Sequence, residues 1–203
     1  MVKSTTLNGV CVCSLEAPRE VVVAASDVDF NVASLGDNVT LMCSSDGGPD
    51  NTYQWMKDGI VLNESDSTII VNVINASSGG DYTCTVSNTA GNDSASTTLY
   101  VAPYIITPLK KQTPTANGSN VNINCDAAGF PSPTVNWVGM TNMKVSNTSL
   151  LQFNPVMFGD EGLYLCVASV EIDGVNFNAT DKTTLVGMFS VVIILCVTTE
   201  YLL

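Results

Sequence analysis

Asp160-Glu161-Gly162-Leu163-Tyr164-Leu165-Cys166 ends on a cysteine that stands 41 residues after Cys125, and Trp137 follows Cys125 by 12. The same frame stands upstream. Cys43 and Cys84 are also 41 residues apart, Trp55 follows Cys43 by 12, and Gly80 and Tyr82 precede Cys84 as Gly162 and Tyr164 precede Cys166. A frame repeated in 203 residues marks two units. The residues beside each first cysteine alternate in the period of a half-buried strand. Val39, Leu41 and Cys43 share one face against Asn38, Thr40 and Met42; Val121, Ile123 and Cys125 share another against Asn120, Asn122 and Asn124.

Further strands are expected at Glu20 to Ala24, continued by Phe30 to Leu35 before the turn at Gly36-Asp37. Tyr53 to Lys57 reads as a strand turned by Asp58-Gly59, a strong hairpin signal. Thr68 to Val73, Asp81 to Ser87 and Ala95 to Val101 complete the first unit. Ala102-Pro103 then reads as a short linker without a Gly/Ser spacer, so the two units are expected to be semi-rigid.

The frame resembles that of the immunoglobulin superfamily, over roughly residues 20 to 186. Gly129-Phe130-Pro131-Ser132-Pro133-Thr134-Val135-Asn136-Trp137 is similar to the G-x-P-x-P-x-V-x-W run of I-set and C2-type domains, and Asp160 to Cys166 matches the D-x-G-x-Y-x-C corner. The resemblance implies an all-β chain of two tandem sandwiches, 19–102 and 103–186, each with one inter-sheet disulfide, Cys43–Cys84 and Cys125–Cys166. It implies that Trp55 and Trp137 lie on the bridges and that Tyr82 and Tyr164 anchor the corners. Closing a loop of this length stabilises a domain by about 4 kcal/mol in the chain-entropy account. Ser78 stands where the corner pattern has Asp. A Ser can still hydrogen-bond the turn, so the departure weakens the corner and not the fold. Paired cysteines imply an oxidising compartment.

Composition narrows the function. Seven Lys and Arg against 19 Asp and Glu give a net charge of -12, which repels phosphate backbones and argues against nucleic acid as partner. The chain has no His, which removes the commonest general base and metal ligand. Asp27-x-Asp29-x-Asn31 begins like an EF-hand loop, but Val32 and Asn38 occupy the positions that require Gly and Glu. No cofactor, metal site or catalytic residue is expected. Seven Asn-x-Ser/Thr sequons, at Asn38, Asn63, Asn75, Asn92, Asn117, Asn147 and Asn178, are candidate glycosylation sites on the secretory route.

The ends are less regular. Residues 1–18 hold Cys11 and Cys13 and no signal-peptide run, so they read either as the stub of an upstream module or as a tail, and the chain as a piece of a longer protein. Residues 185–197 are uncharged and apolar apart from Ser190, short of the roughly 20 residues that a spanning helix needs. A short or truncated membrane anchor over 187–203, a lipid-anchor signal and a plain apolar tail compete, with membrane attachment the expectation.

The two units differ on the outside. Beside Tyr82 and Cys84 the outward residues are Asp81, Thr83 and Thr85; beside Tyr164 and Cys166 they are Leu163, Leu165 and Val167, with Val138 outward on the neighbouring strand. An aliphatic stripe on a solvent face marks a contact surface. The expectation is a non-catalytic, cell-surface adhesion or recognition protein, extracellular, that binds a protein partner through that stripe, a second copy of the chain included among the candidates. The alternative is an ectodomain fragment of a signalling receptor.

Overall fold

The structure is a computed structural model that describes residues 4–7, 10–13, 15–26, 28–139 and 146–187, the first two segments by backbone alone. The regular structure of the described chain is all strand, apart from 3-10 turns at Asp29–Asn31 and Ala76–Ser78. It opens with β1 (Ser4–Leu7), β2 (Val10–Cys13), β3 (Glu16–Ser26), β4 (Val32–Ala33), β5 (Asn38–Gly48) and β6 (Thr52–Lys57). Then come β7 (Ile60–Val61), β8 (Thr68–Asn72), β9 (Gly80–Asn88), β10 (Gly91–Ile105), β11 (Gln112–Thr115) and β12 (Val121–Asn124). The last are β13 (Ala127–Phe130), β14 (Thr134–Gly139), β15 (Leu150–Phe153), β16 (Gly162–Ile172) and β17 (Val175–Gly187). The described residues fall into two compact units. One holds those up to 107 with 126–135 and 167–180; the other holds 108–125, 136–166 and 181–187.

In the first unit β3-β5-β8 form one sheet and β13-β10-β9-β6-β7 the other, with β4 running parallel beside β10. The alternation around Cys43 is as the sequence requires: Val39, Leu41 and Cys43 are buried, and Asn38 and Met42 are exposed. They meet Trp55, Val71, Tyr82, Cys84, Val86 and Leu99 in one core. Cys43 and Cys84 are bonded across it, with Cα atoms 6.3 Å apart. β1 and β2 form a separate antiparallel hairpin, Ser4 opposite Cys13. The hairpin at Asp58-Gly59 is also as expected, both residues holding the positive φ (49° and 79°) that such a turn demands.

Three sequence expectations change. The first strand runs from Glu16 to Ser26 and not only from Glu20 to Ala24, because Glu16 already pairs with Gly48. Phe30 to Leu35 does not continue it. Phe30 and Asn31 take φ of 54° and 57°, which breaks the extended chain and carries it to the other sheet, where Val32 and Ala33 pair with Tyr100 and Val101. Ala102-Pro103 is not a loop. It lies inside β10, and the register against β13 shifts between Val101 and Tyr104, the interval that holds a proline with no N–H for the ladder.

In the second unit β12 pairs with β15, which turns Val121, Ile123, Leu151 and Phe153 to one side. A further sheet has the order β11-β17-β16-β14, with β11 parallel to β17. Cys125 is bonded to Cys166, Trp137 and Tyr164 are fully buried, and the Phe153 ring meets that of Tyr164 edge-on at 5.3 Å. Leu185 is buried in β17 opposite Thr113, so the first apolar residues of the C-terminal run belong to the sandwich. The rest of that run, with Cys196, lies outside the described residues, as does Asp27.

The frame residues act alike in both repeats. Trp55 Nε1 donates to the Asp66 carbonyl and Trp137 Nε1 to the Ser149 carbonyl, each at 2.9 Å. Tyr82 Oη donates to the Ser78 carbonyl at 2.9 Å and Tyr164 Oη to the Asp160 carbonyl at 2.8 Å. The acceptor is backbone, so the exchange of Asp for Ser leaves the corner bond intact. Ser78 Oγ accepts from Ile74 N much as Asp160 Oδ2 accepts from Met157 N.

Burial first, and then the Asp58 or Asp160 carboxylate, pushes the hydroxyls of Tyr82 and Tyr164 up to about 12 from the ordinary 10.0. The folded state therefore keeps protons that the unfolded chain releases. This stability is complete below pH 10 and is lost as pH rises from 10 towards 12. The melting temperature of the wild type is expected to fall across that window. In Tyr82→Phe/Tyr164→Phe the fall is expected to be shallower, from a starting point lowered by about 1 kcal/mol per lost hydrogen bond. Equal alkaline slopes in thermal melts would contradict this.

Candidate recognition surface

Because Tyr164 and Cys166 point into the second core, β16 turns Leu163, Leu165 and Val167 outward, and Trp137 does the same for Val138 on β14. Val138 is 40% exposed, while Leu163, Leu165 and Val167 are half-buried. The stripe is therefore on the outer face and partly covered. Beside Leu163, a cavity of about 360 Å³ is lined by Lys111, Leu163, Asp181, Lys182 and Thr184. Asp181 is committed to backbone, its Oδ2 accepting from Leu109 N at 2.6 Å and its Oδ1 from Lys182 N at 2.8 Å. What the face offers is thus aliphatic carbon flanked by lysine stems and ammonium groups. Nothing in the local sequence places Lys111 and Lys182 here. Their convergence depends on the parallel β11–β17 pairing, which joins residues about 70 apart.

The matching face of the first repeat is polar. Asp81, Thr83 and Thr85 point outward on β9. A cavity of about 470 Å³ is lined by Asp58, Gly59, Asp81, Thr83, Ser96, Thr97 and Thr98. Asp58 Oδ1 accepts from Asp81 N at 2.9 Å, Asp81 Oδ1 accepts from Thr98 Oγ1 at 2.6 Å, and Thr83 and Ser96 share a hydroxyl bond of 2.8 Å. The Lys57 ammonium and the Asp81 N–H hold the Asp58 carboxyl below its ordinary range. These groups satisfy one another. Among the described residues no cluster of three or more His, Cys, Asp or Glu could hold a metal ion.

All seven sequon asparagines are described and exposed. Asn75 also caps the turn before β9, its Oδ1 accepting from Ser77 N at 2.9 Å. A further apolar face is not visible in the local sequence pattern: on the outside of β3-β5-β8, Val22, Ala24, Met42 and Ile70 all face solvent. The run from Val21 to Ala24 is apolar on both faces, so nothing in its pattern shows which residues point out.

An immunoglobulin-domain family model matches residues 21–101, and a second matches 102–169. The chain belongs to the immunoglobulin superfamily. Mouse hemicentin-2 is 29% identical over 169 residues, which cover 76% of this chain and 3% of hemicentin-2. Mouse neural cell adhesion molecule 1 is 29% identical over 165 residues, 68% of this chain and 15% of that protein. The chain thus spans a small part of these relatives. Among solved structures, the N-terminal eight immunoglobulin domains of Down Syndrome Cell Adhesion Molecule isoform 1.30.30 match with a TM-score of 0.51 and 26% identity. That match covers 85% of this chain and 25% of the other. The tandem immunoglobulin reading and both disulfides stand, and the relatives are adhesion molecules.

Proposed function

We propose that this chain is a cell-surface adhesion or recognition protein that binds a protein partner, without chemistry, through the outer face of β14-β16-β17. The observation that carries the reading is the contrast between repeats with the same interior. Leu163 and Leu165 stand where the first repeat has Asp81 and Thr83, and desolvating aliphatic carbon is what a contact face supplies. Kinship to neural cell adhesion molecule 1 supports the role. Tandem domains multiply weak single contacts through effective concentration.

The test uses the glycosylated chain as a fluorescent multimer applied to a panel of cells, including cells that display the same chain. Leu165→Glu places a charge in the contact and is expected to lower binding at least about tenfold, a loss of about 1.4 kcal/mol or more. Non-reducing mass spectrometry should find both disulfides still formed. Binding unchanged in this variant would overturn the assignment of the face. Membrane attachment through the apolar run beyond β17 is part of the same proposal, and alkaline carbonate extraction tests it: release of the chain into the supernatant would count against it.

A further inference from the structure

Two features of the first repeat lie outside that reading and share one surface. The first is the apolar outer face of β3-β5-β8, where Val22 is 54% exposed, Met42 49% and Ile70 68%. Ala24 stands directly opposite Met42, and Ile70 opposite Thr40, so these side chains form one patch across three strands. The second is the sequon Asn38-Val39-Thr40 at the start of β5. Val39 and Leu41 are buried, so Asn38, Thr40 and Met42 all point to the outer face that carries the patch. Asn38 pairs with Asn72, and Ile70 is the next outward residue on that strand. At the strand rise, Ile70 lies about 7 Å and Met42 about 13 Å from the Asn38 row, within reach of the first two sugars of an N-linked chain.

We propose that Asn38 carries an N-linked oligosaccharide whose first sugars lie over Ile70, Thr40 and Met42 and shield this face. In the attachment step, Asn38 Nδ2 forms a bond to the anomeric carbon of an oligosaccharide carried on a lipid diphosphate; the diphosphate leaves, and the amide loses one proton. The C–H faces of N-acetylglucosamine rings then cover aliphatic carbon, while their hydroxyls keep the surface wet. Thr40 serves as the sequon hydroxyl and as floor beneath the sugar. The occupant of the patch is therefore part of the molecule itself. The inference does not rest on the contact face proposed for β14-β16-β17.

The test compares the full chain passed through the secretory route of animal cells with Asn38→Gln and with Thr40→Val, which removes the sequon but keeps a β-branched residue in the strand. Peptide mass spectrometry should find Asn38 occupied in the wild type. Brief peroxide treatment should then convert Met42 to its sulfoxide at least about threefold faster in both variants, with Met157 unchanged as internal reference. Trimming the wild type to a single sugar should leave part of the protection. An unoccupied Asn38 would overturn the proposal, as would equal Met42 oxidation with and without the glycan. Protection of Met42 that rises with protein concentration in the glycosylated wild type would overturn it too, in favour of a second copy on this face.

Discussion

Replacing Cys43 and Cys84 together by alanine is expected to cost the first sandwich about 4 kcal/mol and to lower its melting temperature by roughly 15–30 °C. The bond joins residues 41 apart, so its loss releases a long loop in the unfolded chain, and chain entropy sets the size of the effect. A domain of this size has only about 5–15 kcal/mol of net stability, so the change removes a large share of it. The fold offers little compensation. Cys43 and Cys84 are nearly or fully buried between the sheets, and two alanines leave a small void there. Secreted yield should fall as well, because the unfolded fraction rises with the lost free energy. Differential scanning calorimetry of the double variant against the wild type gives the value. A shift of only a few degrees would mean that sheet packing alone holds the sandwich and that the bridge adds little.

The interior was legible in the sequence because it obeys local rules. Alternation about Cys43 and Cys125 gives the buried face of each strand, and the Tyr-x-Cys spacing gives the corner, since both depend on residues within a few positions of one another. Even the exchange of Asp for Ser at position 78 did no harm, because the corner bond goes to a carbonyl that every residue carries. Features set by conformation or by distant pairing were not legible. A phenylalanine with positive φ has no compositional signature, so the break at Phe30 is indistinguishable from continued strand in the sequence. Pro103 looks like a linker residue until the register shift that accommodates it is seen. The stripe of Leu163, Leu165 and Val167 could be read from alternation alone. The lysines beside it could not, and neither could the patch of Val22, Met42 and Ile70, which three separated strands assemble.

The two outer surfaces differ in how their polar groups are used. In the first repeat, Asp58, Asp81 and Thr98 are bonded among themselves, and the apolar face on the other sheet has a sequon at one end. In the second, the aliphatic stripe has lysine neighbours whose ammonium groups make no ion pair among the described residues. A charged rim of this kind sets encounter rate and salt dependence more than affinity. Binding through this face should therefore weaken with added salt mainly by slower association.

Trp55→Ala is expected to cost about 3–5 kcal/mol, as large as the loss of the disulfide but acting on the opposite state. The indole is fully buried, directly opposite Cys84 in the β6–β9 ladder, and its truncation leaves a void that the surrounding Leu41, Val71 and Tyr82 cannot close without moving both sheets. It also removes the donor to the Asp66 carbonyl, worth about 1 kcal/mol. Trp55→Phe separates the two contributions: it keeps most of the volume and loses the bond, and should fall near the lower third of the alanine effect. Urea denaturation with the disulfide intact provides both numbers, and a loss below about 1 kcal/mol for Trp55→Ala would refute the packing argument. Because Trp55 and Cys84 are direct partners in the ladder and share one core, the two perturbations should not add. In the Cys43→Ala/Cys84→Ala background the sheets can relax towards the void, so Trp55→Ala should cost less there than in the wild type. A cycle that closes with strict additivity would show that the tryptophan packs against the sheets independently of the bridge.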